Sequence, residues 1–200
     1  WRRFFQSADF YFKLFAAFLP AAVFGFILSD VIDMMLGSVF IVAISLIAGG
    51  IVLIFIDCLL KNDRPDNKAI TYPMAIKIGL FQVISMIPGV SRSAATIIGG
   101  MCQRLNRRQA AEFSFFLAVP TMFAASVWQL FKYYSEIDAS NISLLIVGNI
   151  IAFIVAALAI KSFISFLTGH GFKLFGYYRI IVGGVILAML LAGVDLNLTD

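Results

Sequence analysis

The sequence Pro88-Gly89-Val90-Ser91-Arg92-Ser93-Ala94-Ala95-Thr96 interrupts an otherwise apolar part of the chain. The apolar run before it (Ile78 to Ile87) and the small-residue run after it (Ala94 to Cys102) are each too short to cross a bilayer, because a spanning helix needs about 20 apolar residues. Two short helices joined at Pro88-Gly89 are therefore predicted to enter the membrane, stop near mid-depth and turn back. Such a break is tolerated only where protein or water faces the bare backbone groups. We therefore predict that it forms an active site.

The composition indicates an integral membrane protein. The 200 residues are 62% hydrophobic and 13% charged, with a mean hydropathy of +0.98, whereas a soluble domain is about 45–50% apolar and about 25% charged. The net charge of +4 comes from basic residues in short loops between spans, which set topology and do not indicate a nucleic-acid partner. Cys58 and Cys102 lie in or beside apolar runs and are expected to be buried packing residues.

We expect a single all-α transmembrane domain over residues 1–200, folded as a polytopic helical bundle. Its predicted spans cover residues 10–29, 37–60, 111–131, 142–163 and 180–192, and a re-entrant helix-loop-helix hairpin covers residues 73–103. Asp30 and Asp33 are expected in a turn, and Lys173 and Arg179 in the loop before the last span. Because the chain opens with Trp1 and two arginines, we expect the N-terminal part of the parent protein to be missing.

The distribution of Lys and Arg tests the hairpin independently, since these residues collect in cytoplasmic loops. With Arg2 and Arg3 the chain starts in the cytoplasm. The loops before and after the hairpin are both basic, with Lys61, Arg64 and Lys68 in the first and Arg104, Arg107 and Arg108 in the second. A single crossing by residues 73–103 would place the second loop outside, against the rule, whereas a hairpin keeps both loops in the cytoplasm.

The residues at the break suit a phosphate group. Arg92 is a cation at membrane depth, where a charge usually marks a binding site or a pathway. A guanidinium can engage phosphate oxygens with two parallel hydrogen bonds. Ser91, Ser93 and Thr96 add hydroxyl groups, and a helix that begins near Ser91 directs its free N–H groups and positive dipole end to the same place. The cluster predicts an oxyanion site.

Other residues carry weaker expectations. Gly89 supplies the turn and is a candidate substrate-binding residue, as is Gln82, which precedes the break by about two helical turns. Serine and threonine also join helices in membranes, and serine is a frequent N-cap, so each hydroxyl alone could be structural. Glu112 is expected to be interfacial, and His170, the only histidine, to lie in a cytoplasmic loop.

These residues resemble the undecaprenyl-pyrophosphate phosphatases of the bacitracin-resistance type. The resemblance extends in order over essentially the whole chain. It rests on the opening Trp1-Arg2-Arg3, on Phe81-Gln82, on Pro88 to Gly100, on Ala111 to Phe115 with Ala118 to Pro120, and on Tyr177 to Ile180.

The resemblance implies an enzyme of the bacterial inner membrane, with its site open toward the periplasm. The reaction is hydrolysis of undecaprenyl pyrophosphate to undecaprenyl phosphate and inorganic phosphate, which recycles the lipid carrier of peptidoglycan synthesis and confers bacitracin resistance. The implied fold contains inverted repeats, as in transporters, of which this chain would be one half. Ser91, Arg92, Ser93 and Thr96 carry over as catalytic residues. The family's acidic and histidine-bearing motif belongs upstream of the sequence given, so that this chain alone could be inactive.

The resemblance also implies a divalent cation, Mg²⁺ or Ca²⁺, held by the upstream carboxylates, and this chain is predicted to contain no metal site of its own. The expected partners are the lipid pyrophosphate and membrane lipids, and a homo-oligomer stays open. Two other functions also stay open. A transporter or flippase of lipid phosphate or another anion would use the same broken helix, and a non-catalytic scaffold would be indifferent to the replacement of Arg92 by alanine.

Overall fold

The computed structural model describes residues 8–59, 69–133 and 139–194. Within these ranges the regular structure is helical: α1 (Ala8–Ile27), α2 (Ser29–Leu36), α3 (Val39–Leu59), α4 (Tyr72–Ile84), α5 (Arg92–Cys102), α6 (Arg107–Tyr133), α7 (Ala139–His170) and α8 (Lys173–Leu191). In the described part of the chain, α1, α3, α6 and α8 are long and apolar enough to cross a membrane. The prediction of an all-α, polytopic membrane protein is confirmed.

Helices α4 and α5 form the hairpin that was predicted over residues 73–103. At the start of α4, the Tyr72 hydroxyl donates to Asp9 Oδ1 (3.0 Å) at the start of α1. After α5 the chain is back at the same end of α1, where the rings of Phe113 and Phe10 pack edge to face with centroids 6.1 Å apart. A single crossing would separate the two ends of the hairpin by about 30 Å, the thickness of the hydrocarbon core. Their common position is the geometry that re-entry requires.

The turn of the hairpin lies deeper than the mid-depth position expected from the sequence. Helix α4 runs parallel to α1, so closely that a Cβ on Gly79 would lie 2.1 Å from the carbonyl oxygen of Ala17. Farther along, a Cβ on Gly25 would lie 3.3 Å from the methyl group of Met86 in the turn. Gly25 is near the C-terminal end of α1. The hairpin reaches this far because the N–H groups of residues 85–87 each bond the carbonyl three residues earlier, which extends α4 beyond its last turn.

Helices α3 and α8 pack antiparallel along glycines. A Cβ on Gly50 would lie 2.7 Å from the Gly176 carbonyl oxygen, and one on Gly183 would lie 2.9 Å from the Ala43 carbonyl oxygen. Glycines of this kind let membrane helices approach backbone to backbone. The close approach holds Arg179, which lies between these two contacts in α8, against α3.

Several predicted boundaries are wrong. Asp30 and Asp33, expected in a turn, lie in α2, where Asp30 occupies the first turn and interacts favourably with the helix dipole. Helix α7 is longer than the predicted span 142–163, and His170, expected in a loop, is its last residue. Helix α8 begins at Lys173, so Arg179 lies inside a helix. The connection can be this short because Gly171 adopts φ +72° and reverses the chain at once.

Most of the buried core lies between α1, α4, α5 and α6, with fully buried side chains that include Ile78, Ile97, Phe113 and Leu117, and α3 and α7 also contribute to it. Cys102, expected to be packed, is exposed at the end of α5. The basic residues used for the topology argument before the hairpin lie outside the described residues: Arg2, Arg3, Lys61, Arg64 and Lys68.

Candidate active site

The hairpin reverses at a turn formed by Ile87, Pro88, Gly89 and Val90. The Val90 N–H donates to the Ile87 carbonyl (3.0 Å), and Gly89 has a φ of +88°. Proline second and glycine third are the residues that a type II turn favours, because its third position needs a positive φ. A Cβ on Gly89 would also lie 2.6 Å from the Val42 carbonyl oxygen in α3. Glycine therefore permits both the turn and its contact with α3.

Ser91 caps the N-terminus of α5, as expected. Its backbone is extended, and its Oγ accepts a hydrogen bond from the Ala94 N–H (3.3 Å). The hydroxyl oxygens of Ser91 and Ser93 are 3.2 Å apart. Because α5 begins at Arg92, its positive dipole end and the N–H groups of its first turn lie at the hairpin turn. The structure thus brings Gly89, Ser91, Ser93 and a helix N-terminus together.

The half-buried Arg92 side chain is directed toward α6. Its Nη1 donates to the Ser114 carbonyl oxygen (3.4 Å). This contact uses one of several N–H donors of the guanidinium and fixes the side chain against a neighbouring helix. Arg92 therefore lies at the turn, on the side that faces α6.

Thr96 is buried one turn further along α5. Its side chain is 1% exposed, and its Oγ1 lies 2.6 Å from the Ser114 Oγ. The same hydroxyl group is within hydrogen-bonding distance of the Arg92 and Ser93 carbonyls (2.9 and 3.2 Å). These contacts join α5 to α6 behind the turn, and the catalytic role of Thr96 stays a prediction.

The side chain of Gln82 is directed toward α6. Its side chain is 2% exposed, and its Nε2 donates to Thr121 Oγ1 in α6 (3.3 Å). Its Oε1 is buried and has no hydrogen-bond partner among the described residues. The substrate-binding role of Gln82 stays a prediction.

A second arginine at the turn was not predicted as a site residue. Arg179 of α8 donates from Nη2 to the carbonyl oxygens of Gly89 and Ser45. It is 9% exposed. The sequence contains one signal for it: an arginine beside an apolar run, inside the Tyr177 to Ile180 stretch of the resemblance. Arg179 was expected in a loop because the last helix was predicted to begin after it.

Two cavities flank Ser91, and Arg179 lines both. The larger, of about 400 Å³, lies between α3 and the hairpin and is almost entirely apolar, with Phe81, Ala94 and Gly49 in its wall. The smaller, of about 190 Å³, is lined by Ser91 and Ser93 and by aromatic residues of α7 and α8. Arg92 lines neither cavity. We call the face of the turn that borders these cavities the serine side of the turn. There the cation near the serine hydroxyls is Arg179.

The described residues contain no group of three His, Cys, Asp or Glu side chains that could hold a metal ion. Glu112 lies in α6, where its Oε1 accepts a hydrogen bond from Arg108 Nε (3.1 Å). The side chain of His170 lies outside the described part of the structure.

Comparison with known proteins identifies the family. The family model described as "Bacitracin resistance protein BacA" matches residues 2–185. The chain belongs to the BacA family. A Flavobacterium johnsoniae relative named undecaprenyl-diphosphatase is 56% identical over 191 residues, which cover 93% of this chain and 72% of the relative. Relatives of the same name from Bdellovibrio bacteriovorus and Porphyromonas gingivalis are 50% and 51% identical, over 99% and 98% of this chain and 76% and 71% of theirs.

The BacA match includes the hairpin, the serines at its turn and Arg179 of α8. The resemblance to the undecaprenyl-pyrophosphate phosphatases of the bacitracin-resistance type is thereby confirmed. In this BacA-family chain, local sequence was enough to predict the hairpin, its turn and its N-cap. The contacts of Arg179 and Ser114, in contrast, join helices that are far apart in the chain.

Proposed function

We propose that this protein hydrolyses undecaprenyl diphosphate to undecaprenyl phosphate and inorganic phosphate. The proposal draws on the name shared by its relatives and on one observation in particular. At the turn of the hairpin, the Ser91 and Ser93 hydroxyls stand 3.2 Å apart at the N-terminus of α5, next to Arg92. Hydroxyl donors, a helix N-terminus and a guanidinium all favour a phosphate anion.

The position of the turn suits a lipid whose head is charged. A diphosphate at the centre of the bilayer would cost several kcal/mol or more, as any charge there does. The turn lies beside Gly25, near one end of α1, so the head group can bind close to a membrane face. The apolar cavity of about 400 Å³ next to Ser91 offers room for the first isoprene units of the tail.

In the proposed reaction the bond between the terminal phosphorus and the bridging oxygen breaks. An oxygen atom of water ends on the inorganic phosphate, and the lipid leaves as its monophosphate. Negative charge shifts onto the bridging oxygen while the terminal phosphoryl group transfers, and fixed donors that meet this charge lower the barrier. Arg92, held by the Ser114 carbonyl, supplies charged donors, and Ser91 and Ser93 orient the phosphate oxygens.

A divalent cation is part of the proposal as a charge-neutralising group, which is the chemistry that Mg²⁺ or Ca²⁺ supplies to phosphoryl transfer. Among the described residues, no three His, Cys, Asp or Glu side chains are grouped so that they could hold this ion. We further propose the bacterial inner membrane as the location, with the turn toward the periplasm. The turn lies at the end of α1 opposite the basic loop that follows the hairpin, and basic loops favour the cytoplasm.

The test is phosphate release from undecaprenyl diphosphate by the full-length protein in detergent. We expect Arg92→Ala to lower kcat/KM by about 100-fold or more, as loss of a transition-state donor does. Arg108→Ala is the matched control, because Arg108 is an exposed arginine paired with Glu112, and it should retain the wild-type rate. A wild-type protein that moves lipid phosphate across vesicles but releases no phosphate in micelles would replace the proposal with the transporter. A folded Arg92→Ala protein with normal turnover would refute the role of Arg92.

A further inference from the structure

Arg179 has no part in the reaction described above, yet its surroundings are those of a binding residue. The side chain is 9% exposed, and its Nε is buried without a hydrogen-bond partner among the described residues. No ion pair to it is found there either. A buried charge with an unsatisfied N–H is costly unless an anion completes its contacts.

The fold makes room for this guanidinium. A Cβ on Gly49 would lie 2.7 Å from Arg179 Nη2, so any larger residue at this position of α3 would displace the arginine. The Nη2 atom is directed to the Gly89 and Ser45 carbonyls, which orients the planar group at the hairpin turn. These contacts also fix the orientation of the other N–H donors of the guanidinium.

The cavities show that Arg179 lies on the same side of the turn as the two serine hydroxyls. It lines the larger cavity together with Ser91, and the smaller cavity together with Ser91 and Ser93. Arg92 lines neither of these cavities, since its guanidinium is directed to α6. A ligand that contacts the two serine hydroxyls from these cavities therefore meets Arg179.

We propose that Arg179 is a second anion-binding residue, which receives one phosphate of a lipid diphosphate on the serine side of the turn while Arg92 binds the other. That the ligand is a lipid diphosphate rests on the proposed function. That Arg179 binds an organic diphosphate rests on the geometry alone. Two phosphate groups carry more charge than one guanidinium neutralises, and each arginine fork matches one phosphate. The contact of Arg179 with the Gly89 carbonyl would link binding to the shape of the turn.

The test is the affinity of the full-length protein for two non-hydrolysable probes, farnesyl methylenediphosphonate and the monophosphonate farnesylphosphonate. Arg179→Gln keeps an N–H donor on a shorter side chain but loses the charge. We expect it to bind the diphosphonate about tenfold to 100-fold more weakly, the effect of a lost charge-assisted hydrogen bond, with little change for the monophosphonate. Arg179→Lys should recover part of the affinity, because a lysine keeps the charge without the fork. Arg108→Gln, the same change at an exposed arginine, should bind as the wild type does.

The outcomes separate this inference from the proposed function. A folded Arg179→Gln protein with wild-type affinity for the diphosphonate would overturn it, and so would an equal loss for both probes, which indicates a structural brace. Should Arg179→Gln fail to fold, wild-type diphosphonate affinity in Arg179→Lys would count against it. A wild-type protein that binds the diphosphonate through Arg179 but releases no phosphate would sustain the inference and refute the hydrolase.

Discussion

Replacement of Gly89 by alanine should destabilise the protein by about 2–5 kcal/mol and abolish phosphate release. A non-glycine residue in the left-handed region costs about 1–2 kcal/mol, and Gly89 has φ +88°. The added Cβ would lie 2.6 Å from the Val42 carbonyl oxygen and 3.0 Å from the Ser45 Cβ, and overpacking of this kind costs about 1–3 kcal/mol more. Relief of the clash would move the turn away from α3, and with it the Ser91 and Ser93 hydroxyls.

The chain offers a matched control for the backbone part of this cost. Gly193 also has a positive φ (+80°), but a Cβ there meets nothing within 4 Å among the described residues. Gly193→Ala should therefore show the backbone cost of about 1–2 kcal/mol alone and keep its activity. The assay is thermal unfolding of both full-length variants in detergent, together with phosphate release from undecaprenyl diphosphate. Equal unfolding temperatures and equal activities in the two variants would show that the contact of Gly89 with α3 has no effect.

Two further predictions concern the support of the turn. Thr96→Val should cost about 1–3 kcal/mol, because the fully buried Ser114 hydroxyl loses its partner. The double variant Thr96→Val with Ser114→Ala should recover most of that stability, and normal phosphate release by the folded double variant would contradict a catalytic role of Thr96. Gly79→Ala should separate α1 from α4, because its Cβ would lie 2.1 Å from the Ala17 carbonyl oxygen. The control is Gly184→Ala in α8, where a Cβ meets no described atom within 4 Å, and it should be neutral or slightly stabilising. A similar drop in unfolding temperature for the Gly79→Ala and Gly184→Ala variants would argue against close α1–α4 packing.

Local sequence was sufficient to predict the hairpin. Pro88-Gly89 between two short apolar runs indicated a reversal, and the position of Ser91 indicated a helix start; both are found, as a type II turn and an N-cap. These features depend on residues within a few positions of one another. The charge of the following loop adds the prediction that the hairpin begins on the cytoplasmic side.

The depth of the turn could not be predicted from the lengths of the apolar runs. The extra reach comes from turns at residues 85–87 that continue α4, and from the parallel packing of α4 on α1 through Gly79. Neither feature changes composition or hydropathy. The lengths of the apolar runs therefore predicted that the chain reverses, but they predicted the reversal at mid-depth.

The partners of the site residues depend on tertiary packing. Thr96 follows Ser93 by three positions, which predicts a shared helix face, but the spacing does not show that Ser114 of α6 occupies that face. The approach of Arg179 to Gly89 requires the glycine contacts between α3 and α8. Residues 90 positions apart leave no periodic pattern in a single sequence.

The anion site at the hairpin turn is tested most directly by an experimental structure of the full-length protein with farnesyl methylenediphosphonate bound. We expect the phosphonate oxygens within about 3 Å, hydrogen-bonding distance, of the Ser91 hydroxyl and the Arg92 guanidinium, with the farnesyl chain in the apolar cavity between α3 and the hairpin. A diphosphonate bound elsewhere, with the Arg92 side chain in contact with acyl chains, would contradict this expectation.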